Sequence, residues 1–132
     1  MTFFISLITS TLLAAPVDMH SKEGRKQRAK VSSTIKMIKK FSHLLDFYMT
    51  DCGWYPTTKQ GLEALLREPQ SGPQCRQWGP VHYTKNIAKD PWGHNYIYES
   101  DGQSFRIISL GKDSKEGGTG FDADIQLKIG ER

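Results

Sequence analysis

Between Leu110 and Asp124 the chain reads Leu-Gly-Lys-Asp-Ser-Lys-Glu-Gly-Gly-Thr-Gly-Phe-Asp-Ala-Asp, with four glycines and three aspartates in fifteen residues. Glycines let a backbone fold tightly and turn its carbonyls inward. Asp113, Asp122 and Asp124 add hard oxygen donors. Calcium takes roughly six to eight oxygens from carboxylates and carbonyls in a tolerant geometry, which this composition suits. The segment is not an EF-hand, because the Asp-x-Asp-x-Asp-Gly spacing and the closing Glu are absent. Nor is it a phosphate cradle: no Gly-Lys-Ser/Thr ends the run, and its aspartates would repel phosphate. An acidic turn without metal fits the same residues, so both readings stand at this point.

Other chemistry is sparse. His20, His43, His82 and His94 are scattered, and none belongs to a His-Glu-x-x-His pattern or a nucleophile elbow. Trp54, Trp78 and Trp92 flank Gly or Pro and read as a small satellite core pinning irregular backbone. Cys52 and Cys75 lack the spacing of zinc ligands. In a small domain that looks exported, an even count favours a Cys52–Cys75 disulfide, worth about 3 kcal/mol through the unfolded state. Two separate buried thiols are the alternative.

Several elements must hold these residues. Val31, Ile35, Ile38, Phe41, Leu45 and Tyr48 recur at three- and four-residue steps, predicting an amphipathic helix from about Arg25 to Met49 with Gly53 closing it. Pro16 to Gly24 reads as a linker before it. Tyr55-Pro56-Thr57-Thr58 opens a second short helix with a Thr57/Gln60 capping box, ended by Pro69. Asp90-Pro91-Trp92-Gly93 is a turn. A hairpin follows, 95–99 and 104–110 about a Ser100-Asp101-Gly102-Gln103 turn, with a third strand over 125–129. The expected class is α+β, one long helix packed on a small antiparallel sheet. The organisation is an N-terminal segment over 1–24 and a head over 25–132.

Composition sets bounds. The 132 residues are 37% hydrophobic and 24% charged, ordinary for one globular domain. The net charge of +4 is uneven. Between Lys22 and Lys40 there are eight Lys or Arg and one acid, Glu23; from Phe41 onward ten Lys or Arg face twelve Asp or Glu. The basic block reads as a solvated helix face. No recognition-helix or aromatic-strand pattern accompanies it, so no nucleic-acid partner is expected. Phe3 to Ala15 is an apolar run of 13 residues ending at Pro16. That is short of the roughly 20 needed to span a bilayer. A signal peptide would fit its length, but no basic residue precedes it.

Three motifs, taken together, resemble one family. They are Gly53-Trp54-Tyr55-Pro56-Thr57-Thr58-Lys59-Gln60-Gly61-Leu62-Glu63-Ala64-Leu65, then Lys89-Asp90-Pro91-Trp92-Gly93-His94-Asn95-Tyr96, then Ser109-Leu110-Gly111-Lys112-Asp113 with Glu116-Gly117-Gly118 and Ala123-Asp124-Ile125. In this order they closely resemble the major pseudopilins of type II secretion, the general secretion pathway G family. The resemblance implies a pilin-like fold and a non-enzymatic subunit polymerising into a periplasmic pseudopilus that drives folded proteins across the outer membrane of a Gram-negative bacterium. It implies a membrane-held N-terminal helix, a head in the periplasm, and minor pseudopilins and an inner-membrane assembly platform as partners. It also implies calcium in the loop after Ser-Leu-Gly, with Asp113 and Asp124 matching best, backbone oxygen from Leu110 and Lys115, and Asp122 as a further ligand.

The start departs from the family pattern. The Gly-Phe-Thr-Leu-Leu-Glu stretch cut by prepilin peptidase is absent, while Pro16 falls where the family's helix proline does. The expectation is a reading frame that extends upstream and lengthens the apolar run to a full span. Two alternatives share the head: a secreted or periplasmic calcium-binding module, and a type IV pilin-like subunit of another system. A hydrolase fits least, because no nucleophile, base and orienting group assemble from the motifs.

Overall fold

The computed structural model describes residues 18–79 and 83–130. The apolar run Phe3–Ala15, Pro16 and His82 lie outside the described residues. Ser21 caps the long helix α1, Lys22–Cys52, its hydroxyl accepting from the Gly24 amide at 2.9 Å. Glu23 adds an acid to the first turn, where the helix dipole favours one. The helix therefore begins three residues before the expected Arg25, inside the stretch read as linker. At its other end Gly53 takes φ 86° and donates to the Met49 carbonyl at 2.7 Å.

The buried line of α1 runs Thr34, Ile38, Phe41, Leu45, Tyr48 and Cys52, stepping by three or four. The sequence placed Ile35 on this line; it is 40% exposed, and Thr34 is buried instead. One helical position is a rotation of about 100°, enough to carry Ile35 off the face that meets the sheet. Thr34 tolerates burial because its hydroxyl donates to the Lys30 carbonyl at 2.9 Å. His43 is exposed.

The expected second helix shrinks to a 3-10 turn, Leu62–Leu65. Its capping box forms nonetheless: the Thr57 amide donates to Gln60 Oε1 at 3.0 Å and the Gln60 amide to Thr57 Oγ1 at 3.2 Å. Gly61, at φ 62° and ψ −172°, then breaks the helical path. Gln60 Nε2 also donates to the carbonyls of Ser71 and Pro73, holding the polar loop beneath it.

Three strands form one antiparallel sheet in chain order: β1 Ile97–Ser100, β2 Phe105–Ser109 and β3 Ile125–Ile129. Ser100 pairs with Phe105 across the hairpin, and Ser109 with Ile125 across the second pair. Asp101 Oδ1 sets the hairpin turn by accepting from the amides of Gln103 and Ser104. Tyr98, Phe105 and Ile107 meet the α1 line in a core completed by Leu62 and Leu65. Phe41 stands edge-on to Tyr96, ring centroids 5.4 Å apart. Burial raises the Tyr98 phenol above its ordinary value, and its hydroxyl donates to the Pro56 carbonyl at 2.7 Å.

Cys52 and Cys75 are disulfide-bonded, tying the end of α1 to the polar loop. The tryptophans do not share one cluster. Trp54 and Trp78 pack on the main core, with Trp78 Nε1 donating to the Ala64 carbonyl. Trp92 reaches α1 instead, donating to Gln27 Oε1 at 2.8 Å. Among the described residues no helix is long and apolar enough to cross a membrane.

Candidate metal centre

The Leu110–Asp124 loop leaves β2 and returns to β3, so adjacent strands fix both of its ends. Lys112 donates its amide to the Phe121 carbonyl at 3.0 Å, drawing the two arms together. Gly111 makes this approach possible. It sits at φ 71°, and a Cβ there would lie 2.7 Å from the Ala123 carbonyl oxygen and 3.0 Å from that of Phe121. Gly118, at φ 85°, is equally hemmed: a Cβ would meet the Asp122 carbonyl oxygen at 2.6 Å. At both positions a side chain would fill a space walled by main-chain oxygens.

The structure places the aspartates in three different settings. Asp124 is half-buried; its Oδ2 accepts from the Gly117 amide at 3.0 Å, while its Oδ1 is sealed from solvent and has no hydrogen-bond partner. Asp113 is exposed and its Oδ1 accepts from the Lys115 amide at 3.0 Å. Asp122 is half-buried, with its amide donating to the Thr119 carbonyl. Leu110 is half-buried and Lys115 exposed. Among the described residues no group of three or more His, Cys, Asp or Glu side chains is placed to hold a metal ion. An ion in this loop would be held by oxygen alone, from carboxylates and main-chain carbonyls, which suits calcium and not zinc.

Beside the loop lies a network built on Asp90, a residue read from sequence only as part of a turn. Its side chain is buried at 4% exposure. Oδ1 accepts from the amides of Trp92 at 3.1 Å and His94 at 2.9 Å, and Oδ2 accepts from the Ser109 hydroxyl at 2.9 Å. Ser109 Oγ in turn accepts from the Gly111 amide at 3.3 Å, reaching the start of the loop. The signal was available: an Asp opening a Pro-containing turn caps the amides that follow it.

His94 Nδ1 lies 2.6 Å from Ser114 Oγ and 3.8 Å from Asp90 Oδ1. Serine, histidine and aspartate in one place invite comparison with a hydrolytic triad. In a triad the serine and the carboxylate face opposite ring nitrogens, so that one orients while the other accepts the proton. Here both face Nδ1, and that relay cannot operate. The trio instead holds Ser114, a non-glycine residue at φ 57°, in the loop.

The family described as type II secretion system (T2SS), protein G, matches residues 23–128. The chain belongs to that family. The type II secretion system core protein G of Pseudomonas aeruginosa is 44% identical over 104 residues, covering 77% of this chain and 73% of the relative. The Vibrio cholerae core protein G is 40% identical over 104 residues, covering 77% and 70%. A crystal structure of the major pseudopilin from the type 2 secretion system of enterohaemorrhagic Escherichia coli superposes with a TM-score of 0.70 at 29% identity, covering 84% of this chain and 92% of that one. The long helix on a three-stranded antiparallel sheet is the pseudopilin fold, as the sequence motifs implied. The protein G family member described here is a structural subunit of the type II secretion pseudopilus and an envelope-associated component of that system.

Proposed function

We propose that the glycine-rich loop is a calcium clamp that sets the head of a filament subunit. The observation that carries this reading is the sealed, unpartnered Oδ1 of Asp124. A buried carboxylate oxygen without a donor is costly, and a cation beside it removes that cost. Asp124 and Asp113 would supply carboxylate oxygen, Leu110 and Lys115 carbonyl oxygen, with Asp122 at the margin. Bound calcium supplies positive charge that draws the loop's oxygens onto one point. The chain's own residues do the rest: Gly111 and Gly118 admit the carbonyls, and Ser109 hands the loop to the Asp90 network.

The test is thermal. At calcium a hundredfold above its Kd, mass action stabilises the folded state by about 2.7 kcal/mol. For a chain of this size the melting temperature should then rise by about 10 °C over that in chelator. Asp124→Ala should melt at one temperature in both conditions. Equal melting of the unmutated protein with calcium and with chelator would remove the metal site from this account.

Around that clamp the wider reading is a polymer. The N-terminal segment that includes the apolar run Phe3–Ala15 holds the subunit in the inner membrane, the head stands in the periplasm, and the chain assembles with copies of itself, with minor pseudopilins and on an inner-membrane platform. It carries out no catalysis. In a bacterium deleted for its own subunit of this kind, the chain should restore secretion and fractionate with the inner membrane. Recovery in the soluble fraction alone counts against the anchor, and membrane recovery without secretion counts against assembly.

A further inference from the structure

The basic stretch of α1 lies outside the core and the calcium loop; in it Arg25 donates to the His20 carbonyl and Lys30 stands over the Trp92 ring. Lys22, Arg25, Arg28, Lys36, Lys39 and Lys40 are all exposed. At 3.6 residues per turn they fall within about a third of the helix circumference, on the side away from the buried line. Among the described residues none of the six takes part in an ion pair. From Lys22 to Lys40 the stripe is about 27 Å long.

We infer that this stripe is a docking surface for anionic phospholipid headgroups, on which α1 lies before its subunit enters the filament. The inference rests on the anchoring reading above. Lys22 follows Ala15 by seven residues. Even a fully extended chain of seven residues spans no more than about 25 Å. An apolar run held in the bilayer therefore keeps the start of the stripe close to the headgroups, whatever path the intervening residues take. The stripe faces away from the sheet, so the helix can lie charged side down with the head clear of the lipid.

A second copy of the chain is a poorer occupant. Residues from Phe41 onward carry twelve acids against ten bases. Several of those acids are already engaged: Glu63 pairs with Arg67, Glu99 with Arg106, Asp90 is buried in hydrogen bonds, and Asp51 accepts from Tyr83. With Asp113, Asp122 and Asp124 also committed to the calcium loop, five of the twelve remain, fewer than the six cations on each neighbour. A membrane surface supplies as many anions as the stripe needs.

Each Lys or Arg near an anionic surface contributes about a fivefold factor in affinity, so three together give roughly a hundredfold. The full chain should be floated with vesicles of phosphatidylcholine, alone or mixed with phosphatidylglycerol. The unmutated protein should favour the mixed vesicles, less so as salt shortens the screening length. Lys36→Gln with Lys39→Gln and Lys40→Gln should cut that preference about a hundredfold, Gln being nearly as good a helix former as Lys. Lys59→Gln with Lys85→Gln and Lys89→Gln removes equal charge from exposed head positions and should retain the preference. No preference in the unmutated protein, or equal loss in both triple variants, overturns the proposal. So does a stripe variant that keeps its lipid preference and loses self-association in sedimentation. If nothing binds pure phosphatidylcholine, the anchor reading fails alone; a phosphatidylglycerol preference lost only in the stripe variant would still support the lipid surface.

Discussion

Replacing Asp90 by alanine should cost about 3–4 kcal/mol of folding stability, read from the urea midpoint at constant slope. Three donors lose their acceptor at once: the Ser109 hydroxyl and the amides of Trp92 and His94. Ser109 is fully buried and Asp90 nearly so, so these groups have little access to replacement water. Asp90→Asn is the informative partner. It keeps an acceptor for the two amides, and its NH2 group can donate to a reoriented Ser109 hydroxyl. That variant should lose only about 1–2 kcal/mol. Equal, large losses in both would mean that the negative charge matters and not the hydrogen-bond pattern. A loss below about 1 kcal/mol in the alanine variant would show that the turn is held by other contacts.

The second large effect is expected from the disulfide. Cys52 and Cys75 are 23 residues apart. Cutting a link across a loop of this size restores chain entropy to the unfolded state worth about 3 kcal/mol. For a chain of this length that is a fall of about 10 °C in melting temperature. Cys52→Ser with Cys75→Ser should show it, and reduction of the unmutated protein should reproduce it. The polar loop should suffer first, since the remaining ties on it are single hydrogen bonds such as those from Gln60 to Ser71 and Pro73. Full melting stability after reduction would show that those bonds and the Trp78 anchor suffice.

Sequence reading was strongest where periodicity and turn chemistry agreed. The third strand, Ile125–Ile129, was placed to the residue because it alternates and follows a glycine-rich loop. The hairpin strands came within two residues, its Asp-Gly turn being unambiguous. Errors appeared where one residue overruled a pattern. Gly61 stopped a helix that the Thr57/Gln60 box had begun, and the buried Thr34 displaced Ile35 because its hydroxyl could bond within the helix. The local half of the Asp90 network was legible as a turn, but its bond to Ser109 was not, because Ser109 lies 19 residues away and only the folded sheet edge brings the two together. In the loop, composition pointed to oxygen-rich chemistry, whereas the sealed oxygen of Asp124 is a property of packing.

The long helix is fastened to the body near both of its ends, by Trp92 to Gln27 and by the Cys52–Cys75 bond. These points are 25 residues apart, roughly 38 Å along the axis. A rod clamped at two such distant stations cannot swing about either one. Thrust delivered along it is passed to the whole rigid mass and is not absorbed at a joint.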